Sequence, residues 1–479
     1  MEHNLYSDLA WLARPSADFA SQCRAALEAA RPGPALQALA QHALDENQLN
    51  RLAKTLKKLQ EAKASLKPLV PFRLGVLSNS TLDFVVPSLV GTALRYGIEL
   101  DCVKADYDQV IQEALSPDSK VNSYKPDAVL LAIDYRSLPL QESLGNSEAA
   151  SAAVSAAVGF IQNIRGGLKQ NSGAVCILPT FAPPPERLFG SFDRVLPGTL
   201  RNMLERVNSA LAEAVLGTED ILLDVAGLAE TVGLAAWHDM TQWNMGKLPF
   251  SNTFLPLYSD QVARLIGALR GKSRKCLVLD LDNTVWGGII GDDGLEGIQC
   301  AQGDATGEAH LAVQRLALDL RSRGIVLAVS SKNNDDVARR PFREHPEMLL
   351  KEEHIAVFQA NWNDKATNIS AIAAELALGV DSMVLLDDNP VERNLVRQFL
   401  PQVAVPELPE DPALYARTLS AAGYFESVAF AQEDGKRADF YRDNARRVAL
   451  QNQAGDLDAY LASLEMEITF QPFDATGRA

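Results

Sequence analysis

The run Lys275-Cys276-Leu277-Val278-Leu279-Asp280-Leu281-Asp282-Asn283-Thr284-Val285-Trp286-Gly287-Gly288 constrains the fold of this chain more than any other stretch. Cys276 to Leu279 are apolar without alternation, which predicts a short strand buried on both faces. The strand stops on two aspartates one residue apart, followed by Asn-Thr, an aromatic residue and two glycines. Open parallel sheets bind their ligands beyond the carboxyl ends of the strands, so a carboxylate pair there is placed for chemistry.

Short apolar runs alternate with helix-length segments on either side of it. Upstream the predicted strands are Leu74–Leu77, Leu100–Val103, Ala128–Ile133, Ala174–Leu178 and Ile221–Val225. The predicted helices between them include Leu82–Tyr96, Ala149–Leu168 and Thr199–Leu216. From Cys276 a second series runs through Cys276–Leu279, Ile325–Val329, Ala356–Gln359 and Met383–Leu386, with Val403–Val405 a fifth candidate. Its helices are Glu308–Arg323, Ala366–Ala377 and Val391–Phe399. Strand-helix-strand order implies an α/β protein with two parallel-sheet domains, helices covering both faces of each sheet. The reading divides the chain into an Ala/Leu/Gln/Lys-rich helical region (1–71), a first α/β domain (72–270), a second (271–425) and a helical extension (426–479). Pro32 and Pro34 interrupt the first helices, and Met466–Phe470 offers one more strand-like run.

Composition sets the outer limits. No window approaches the roughly 18 uncharged apolar residues of a membrane span. The N-terminus lacks a basic start and an apolar core, so no secretory signal is expected. Five scattered cysteines lack paired metal-ligand spacing, and a reducing cytoplasm is the expected compartment. A net charge of −16 argues against a broad nucleic-acid surface. An acidic protein partner would need a local basic patch.

The polar residues at the strand ends of the second domain form a set. Asp280 and Asp282 follow its first strand, and Ser330-Ser331-Lys332-Asn333 follow the second. Lys365 opens a helix, and Asp387-Asp388-Asn389-Pro390 follow the fourth strand. Phosphoryl transfer needs positioning and charge neutralisation more than covalent novelty. Asp280 can attack phosphorus, and Asp282 can protonate the leaving oxygen and then activate the incoming nucleophile. Mg²⁺ takes hard oxygens, and Asp280, Asp282, Asp387 and Asp388 are the candidate ligands. Asn283, Thr284, Ser331, Lys332 and Lys365 are the candidate phosphate contacts, Ser331 being preferred to Ser330 as the hydroxyl donor. A lone D-x-D after a strand is often a solvated turn; four ordered elements are not.

These four elements resemble the motifs of the haloacid dehalogenase (HAD) superfamily. The stretch Lys275 to Gly294, continued by Gln302-Gly303-Asp304-Ala305-Thr306-Gly307-Glu308-Ala309, resembles its FkbH-like branch. So do Ser331-Lys332-Asn333-Asn334, Asn361-Trp362-Asn363-Asp364-Lys365-Ala366 and Leu386 to Arg393. The resemblance implies an acyl-loading enzyme of polyketide biosynthesis. Such an enzyme dephosphorylates 1,3-bisphosphoglycerate or a related three-carbon acyl phosphate. It then passes the glyceryl or lactoyl group to the phosphopantetheine arm of an acyl carrier protein. A plain phosphatase acting on a small phosphoester shares all four motifs, and a non-catalytic docking domain is the third reading. The Gly-rich stretch from Asp282 to Glu308 is too short for a large cap. In relatives an acyltransferase-like region commonly follows, so the chain reads as a shorter variant or an excised domain.

The resemblance also raises the question of an acyl-carrying cysteine. Cys276 shares a strand face with Asp280, but four residues place it about 13 Å away along the strand. Packing is the expected role of Cys276, while Cys300, in the Gly-rich loop, is expected to be accessible. Ser330 stands where many FkbH-like sequences carry a cysteine, so direct transfer to the carrier stays open. The first domain resembles an SGNH hydrolase in placing Leu77-Ser78-Asn79-Ser80-Thr81 at a strand end. Ala235 stands three residues before His238, so the Asp-x-x-His dyad is missing and a non-hydrolytic role is expected. The aromatic and basic segment Trp237 to Ser251, with Trp243, Lys247 and Phe250, is either a carrier-docking surface or core.

Overall fold

The computed structural model describes residues 4–454. The chain folds as two compact units. One runs to Ser273 and takes in Arg417–Ala429; the other covers Arg274–Ala416 and resumes at Phe430.

The first unit is built on β1 (Val70–Leu77), β2 (Ile98–Lys104), β3 (Ala128–Leu131), β4 (Val175–Pro179) and β5 (Ile221–Leu223). All pairings are parallel, in the order β2-β1-β3-β4-β5. The chain therefore reverses its direction of travel between β1 and β3, which opens a crevice beyond those two strands. β5 ends earlier than expected because Asp224 leaves the strand to cap the helix Val225–Val232, accepting from Gly227 N at 3.1 Å. Three helices precede the sheet: Phe19–Glu28, Pro32–Ala40 and Glu46–Glu61. The third starts at a capping box in which Asp45 and Gln48 exchange side-chain and backbone hydrogen bonds.

Residues 417–429 belong to the first unit, although 417–425 were expected in the second domain and 426–429 in the helical extension. Ala421, Ala422 and Tyr424 pack into its core, and Arg264 donates to Ala421 O at 2.6 Å. Arg264 is itself held by the buried Asp260, which also pairs with Arg95 at 2.6 Å. Burial pushes the Asp260 carboxyl up, but Arg264 and Arg95 more than offset this and hold it below its ordinary range.

The second unit carries β6 (Cys276–Leu279), β7 (Val326–Ser331), β8 (Ile355–Ala360) and β9 (Met383–Leu386), all parallel, in the order β8-β7-β6-β9. β6 is central and lies at the reversal point, so its carboxyl end faces the crevice. Val403–Val405 does not form a fifth strand. It makes one parallel bridge, Val384 to Ala404, because Pro401 and Pro406 flank it and cannot donate to a ladder. The helices Gln432–Gly435 and Arg437–Ala454 belong to this unit rather than standing apart. Ala445 joins its core, Arg321 pairs with Asp439 at 2.5 Å, and Arg442 donates to Glu353 O at 3.0 Å. The run Met466–Phe470 lies outside the described residues. Between β6 and the helix Ala305–Ser322, the chain forms one short helix, Ile290–Gly297, broken at Gly294 (φ +68°). No described helix is long and apolar enough to cross a membrane.

Candidate active site

Four segments converge beyond the carboxyl ends of the second sheet. Asp280 follows β6, and its N–H donates to Leu386 O of β9 at 2.9 Å, which fixes the direction in which its side chain leaves the sheet. Asp387 and Asp388 follow β9. Lys365 is the first residue of the helix Lys365–Glu375, whose start is set by Asp364 accepting from Thr367 N at 2.8 Å. A cation at a helix N-terminus opposes the macrodipole. Here two carboxylates compensate, for Lys365 Nζ lies 2.6 Å from Asp280 Oδ1 and 2.6 Å from Asp387 Oδ2.

Ligand oxygens of Asp280, Asp387 and Asp388 lie within 4.8 Å of one another. Three carboxylates and one ammonium leave a formal charge of −3 + 1 = −2 in a largely buried cluster. Burial drives the Asp280 carboxyl up to about 7; Lys365 opposes this and Asp387 adds to it. Burial and the Asp387 charge raise Asp388 as well. Burial would lower Lys365, but its two carboxylate partners prevail and raise it. A hard divalent cation would cancel the residual charge with oxygen ligands alone, which fits Mg²⁺.

Asp282 has a different environment. Its carboxylate accepts from Trp286 Nε1 (2.9 Å), Ile290 N (3.0 Å) and Asn333 Nδ2 (2.8 Å). Three donors orient it, and it stands outside the three-carboxylate group. The expectation that its side chain is a metal ligand is therefore corrected: the carboxylates placed to share an ion are those of Asp280, Asp387 and Asp388. Thr284 is also corrected. It is fully buried, accepts from Asp388 N at 3.1 Å and donates to Asp388 Oδ1 at 3.3 Å, so it positions a carboxylate rather than touching phosphate. His310 supports the same loop from below, with Nδ1 3.0 Å from Thr284 O.

The cluster opens into a pocket of about 590 Å³ lined by Asp280, Asp282, Asn283, Ser331, Lys332, Asn333, Lys365 and Asp388. Asn283 takes a left-handed conformation (φ +55°), a region Asn visits readily, and it tightens the turn by accepting from Gly288 N at 3.0 Å. Ser331 lines the pocket, whereas its neighbour Ser330 is not among the lining residues, as strand alternation requires. Lys332 sits at the rim, paired with Glu392 at 2.5 Å. Trp362, Ile289 and Val337 complete the mouth, Trp362 being 73% exposed and tied to Asn334 at 3.2 Å.

Two further residues act on the site that were given no role from sequence. Arg393 donates to the backbone oxygens of Asp387 (2.9 Å) and Asp388 (2.6 Å) and pairs with Glu407, clamping the acidic turn. Asn333 links Ser331 to Asp282. Both lie inside the quoted motifs, but their pairing depends on loop geometry that spacing does not give.

The cysteine expectations divide. Cys276 is buried in the sheet core, as packing requires. Cys300 is not accessible: it is fully buried, accepts from Gln314 Nε2 at 3.1 Å and touches Met348, and burial pushes its thiol up. In the first unit, Ser80 Oγ lies 2.7 Å from Ser78 Oγ, and His238 Nε2 lies 3.1 Å from Pro183 O. Among the described residues no hydrogen bond joins Ser80 to His238. Trp237 and Phe250 stack in the core with centroids 4.6 Å apart, so packing accounts for them. Trp243 instead stacks under the Arg136 guanidinium at 4.0 Å.

A parallel sheet that brings Asp280, Asp282, Lys365 and the Asp387-Asp388 pair together beyond its carboxyl edge has the arrangement of a phosphatase-type domain of the HAD superfamily. Comparison with known proteins agrees. The FkbH N-terminal domain family matches residues 73–267. A crystal structure of the N-terminal part of the protein BF1531 from Bacteroides fragilis, containing a phosphatase domain complexed with Mg, is 32% identical. It covers 81% of this chain and 100% of that one, with a TM-score of 0.74. A comparison with curated proteins finds no match. The chain belongs to the FkbH-like family.

Proposed function

We propose that this protein is a Mg²⁺-dependent acyl-loading enzyme. Its donor is a phosphorylated three-carbon acyl phosphate such as 1,3-bisphosphoglycerate, and its acceptor is the thiol of an acyl carrier protein. The observation that carries this reading is the convergence of Asp280, Asp388 and Lys365 on one open pocket, with the buried Asp387 paired to Lys365 behind them. The family and the Mg-bound phosphatase domain of the Bacteroides relative support it. Asp280, Asp387 and Asp388 would hold the ion, which would neutralise charge on the phosphoryl group.

Chemistry assigns the two phosphates of such a donor to different steps. Attack on phosphorus at the acyl phosphate would free a carboxylate and discard the activation. The aspartyl route therefore suits the ester phosphate. Asp280 attacks its phosphorus, the ester P–O bond breaks, and the departing alkoxide takes a proton from Asp282. Asp282 then takes a proton from water as that water releases phosphate from Asp280. Lys365 and Ser331 hold the phosphoryl oxygens. In the loading step the carrier thiolate attacks the acyl carbon, the C–O bond breaks, and the second phosphate leaves. A lactoyl donor would need only this second step.

No cysteine lines the pocket among the described residues, which favours direct transfer to the carrier over an enzyme thioester. The same observation favours the plain phosphatase as second reading. Incubation with donor, Mg²⁺ and phosphopantetheinylated carrier, read by intact mass, separates the two. Loading adds one glyceryl group to the carrier. Phosphate release with an unmodified carrier would leave the phosphatase.

A further inference from the structure

The helix Glu46–Glu61 turns one face into the first unit through Leu49, Leu52, Leu56 and Leu59, all buried. Its outer face carries Arg51, Lys54, Lys57 and Lys58, all exposed. Arg51, Lys54 and Lys58 follow i, i+3, i+7 spacing, so they form one stripe. The neighbouring helix Phe19–Glu28 brings Arg24 to the same place. Between them runs a groove of about 580 Å³ whose floor, from Ala20, Cys23, Leu27 and Thr55, is mostly apolar, with Asn47 and Asn50 also lining it and Glu61 its one acidic lining residue.

Three features set this groove apart from an ordinary solvated helix face. The cations come from two helices and face one concavity. None of the five is in an ion pair among the described residues, although most arginines of the second unit are paired. Like charges at helical spacing cost stability, so the stripe weakens its own helix. All this occurs in a chain of net charge −16. An apolar floor between cationic walls is complementary to an amphipathic helix with acidic flanks, the helix-in-groove mode of recognition. A nucleic acid would gain from the walls but not from the floor, and the remainder of the chain would repel it.

We propose that this groove docks an acidic helix of the carrier protein, an inference that rests on the loading reaction proposed above. The test uses the full chain and a phosphopantetheinylated carrier, comparing wild type with Arg51→Glu/Lys54→Glu/Lys58→Glu and with the milder Gln triple variant. The Glu variant weakens carrier binding at least tenfold and raises KM for the carrier. It leaves kcat and Mg²⁺-dependent phosphate release unchanged and does not lower the melting temperature, and the Gln variant falls between in carrier affinity. Wild-type affinity declines with added salt. Equal binding by the Glu variant, or no binding by wild type at low salt, overturns the proposal. So does salt-sensitive self-association of wild type that the Glu variant lacks, since the occupant would then be a second copy. Loading with unchanged KM in the variant refutes the docking site alone. Charge-dependent binding without loading supports the docking site and refutes the loading reaction.

Discussion

Lys365→Met is the perturbation that interrogates the site most severely. Lys365 is 2% exposed, and its ammonium lies 2.6 Å from both Asp280 and Asp387. Methionine fills similar volume, so the change removes charge rather than packing. Breaking a buried ion pair from one side costs about 3–5 kcal/mol, because the orphaned charge stays buried. Here two carboxylates are orphaned, which puts the expected loss at the upper end of that range. The pH dependence gives the sign. Asp280 moves from an ordinary 3.8 to about 7 in the fold. The folded state then holds a proton that the unfolded state has released, so stability falls as pH rises between about 4 and 7, by at most about 4 kcal/mol. Removing Lys365 steepens that fall. Urea unfolding of the chelator-treated variant, followed by fluorescence, should show the full deficit at pH 8, a smaller one at pH 5, and partial recovery when Mg²⁺ is added. Equal stability of variant and wild type at both pH values would refute the electrostatic account of this cluster.

Further expectations follow from the same geometry. Asp280→Asn abolishes phosphate release while circular dichroism and melting show an intact fold; substantial residual turnover would reject it as nucleophile. Asn333→Ala frees Asp282 Oδ2 and lowers phosphate release by about 10- to 100-fold through misorientation, with Mg²⁺ affinity unchanged by calorimetry. Mg²⁺ affinity itself rises as pH approaches about 7 and then levels, because protonated Asp280 must lose its proton to bind metal. In the first unit, Asp260→Asn strands two guanidiniums and costs about 3–5 kcal/mol at neutral pH. Asp260 is held below its ordinary range, so its stabilisation is complete above about pH 4 and lost as pH falls further, and the mutational cost shrinks with it.

The sheets were legible because parallel strands, buried on both faces, read as unbroken apolar runs. Cys276–Leu279 and Met383–Leu386 match the observed strands residue for residue. The convergence of Asp280, Lys365, Asp387 and Asp388 was legible too, since topology carries every strand end to one edge. What sequence order could not give was the company each side chain keeps. Thr284 and Asn283 are adjacent, yet one is sealed under Asp388 and the other lines the pocket. Cys300 sits in a glycine-rich loop that looked open, but Gln314 and Met348 close over it. The return of residues 417–429 to the first unit depends on Arg264 reaching Ala421 O, a contact spanning 157 residues. The basic groove needed two helices to meet before its charges could be seen as one surface.

The central claim is that phosphate leaves by way of a covalent bond to Asp280. Acid-quenching the enzyme during turnover of a phosphorylated three-carbon donor, followed by peptide mass mapping at low pH, tests it directly. A single phosphoryl adduct on the peptide carrying Asp280, lost in Asp280→Asn and accumulating when Asp282→Asn blocks its hydrolysis, is the predicted result. Turnover at full rate with no adduct there, or with the adduct on another residue, would contradict it.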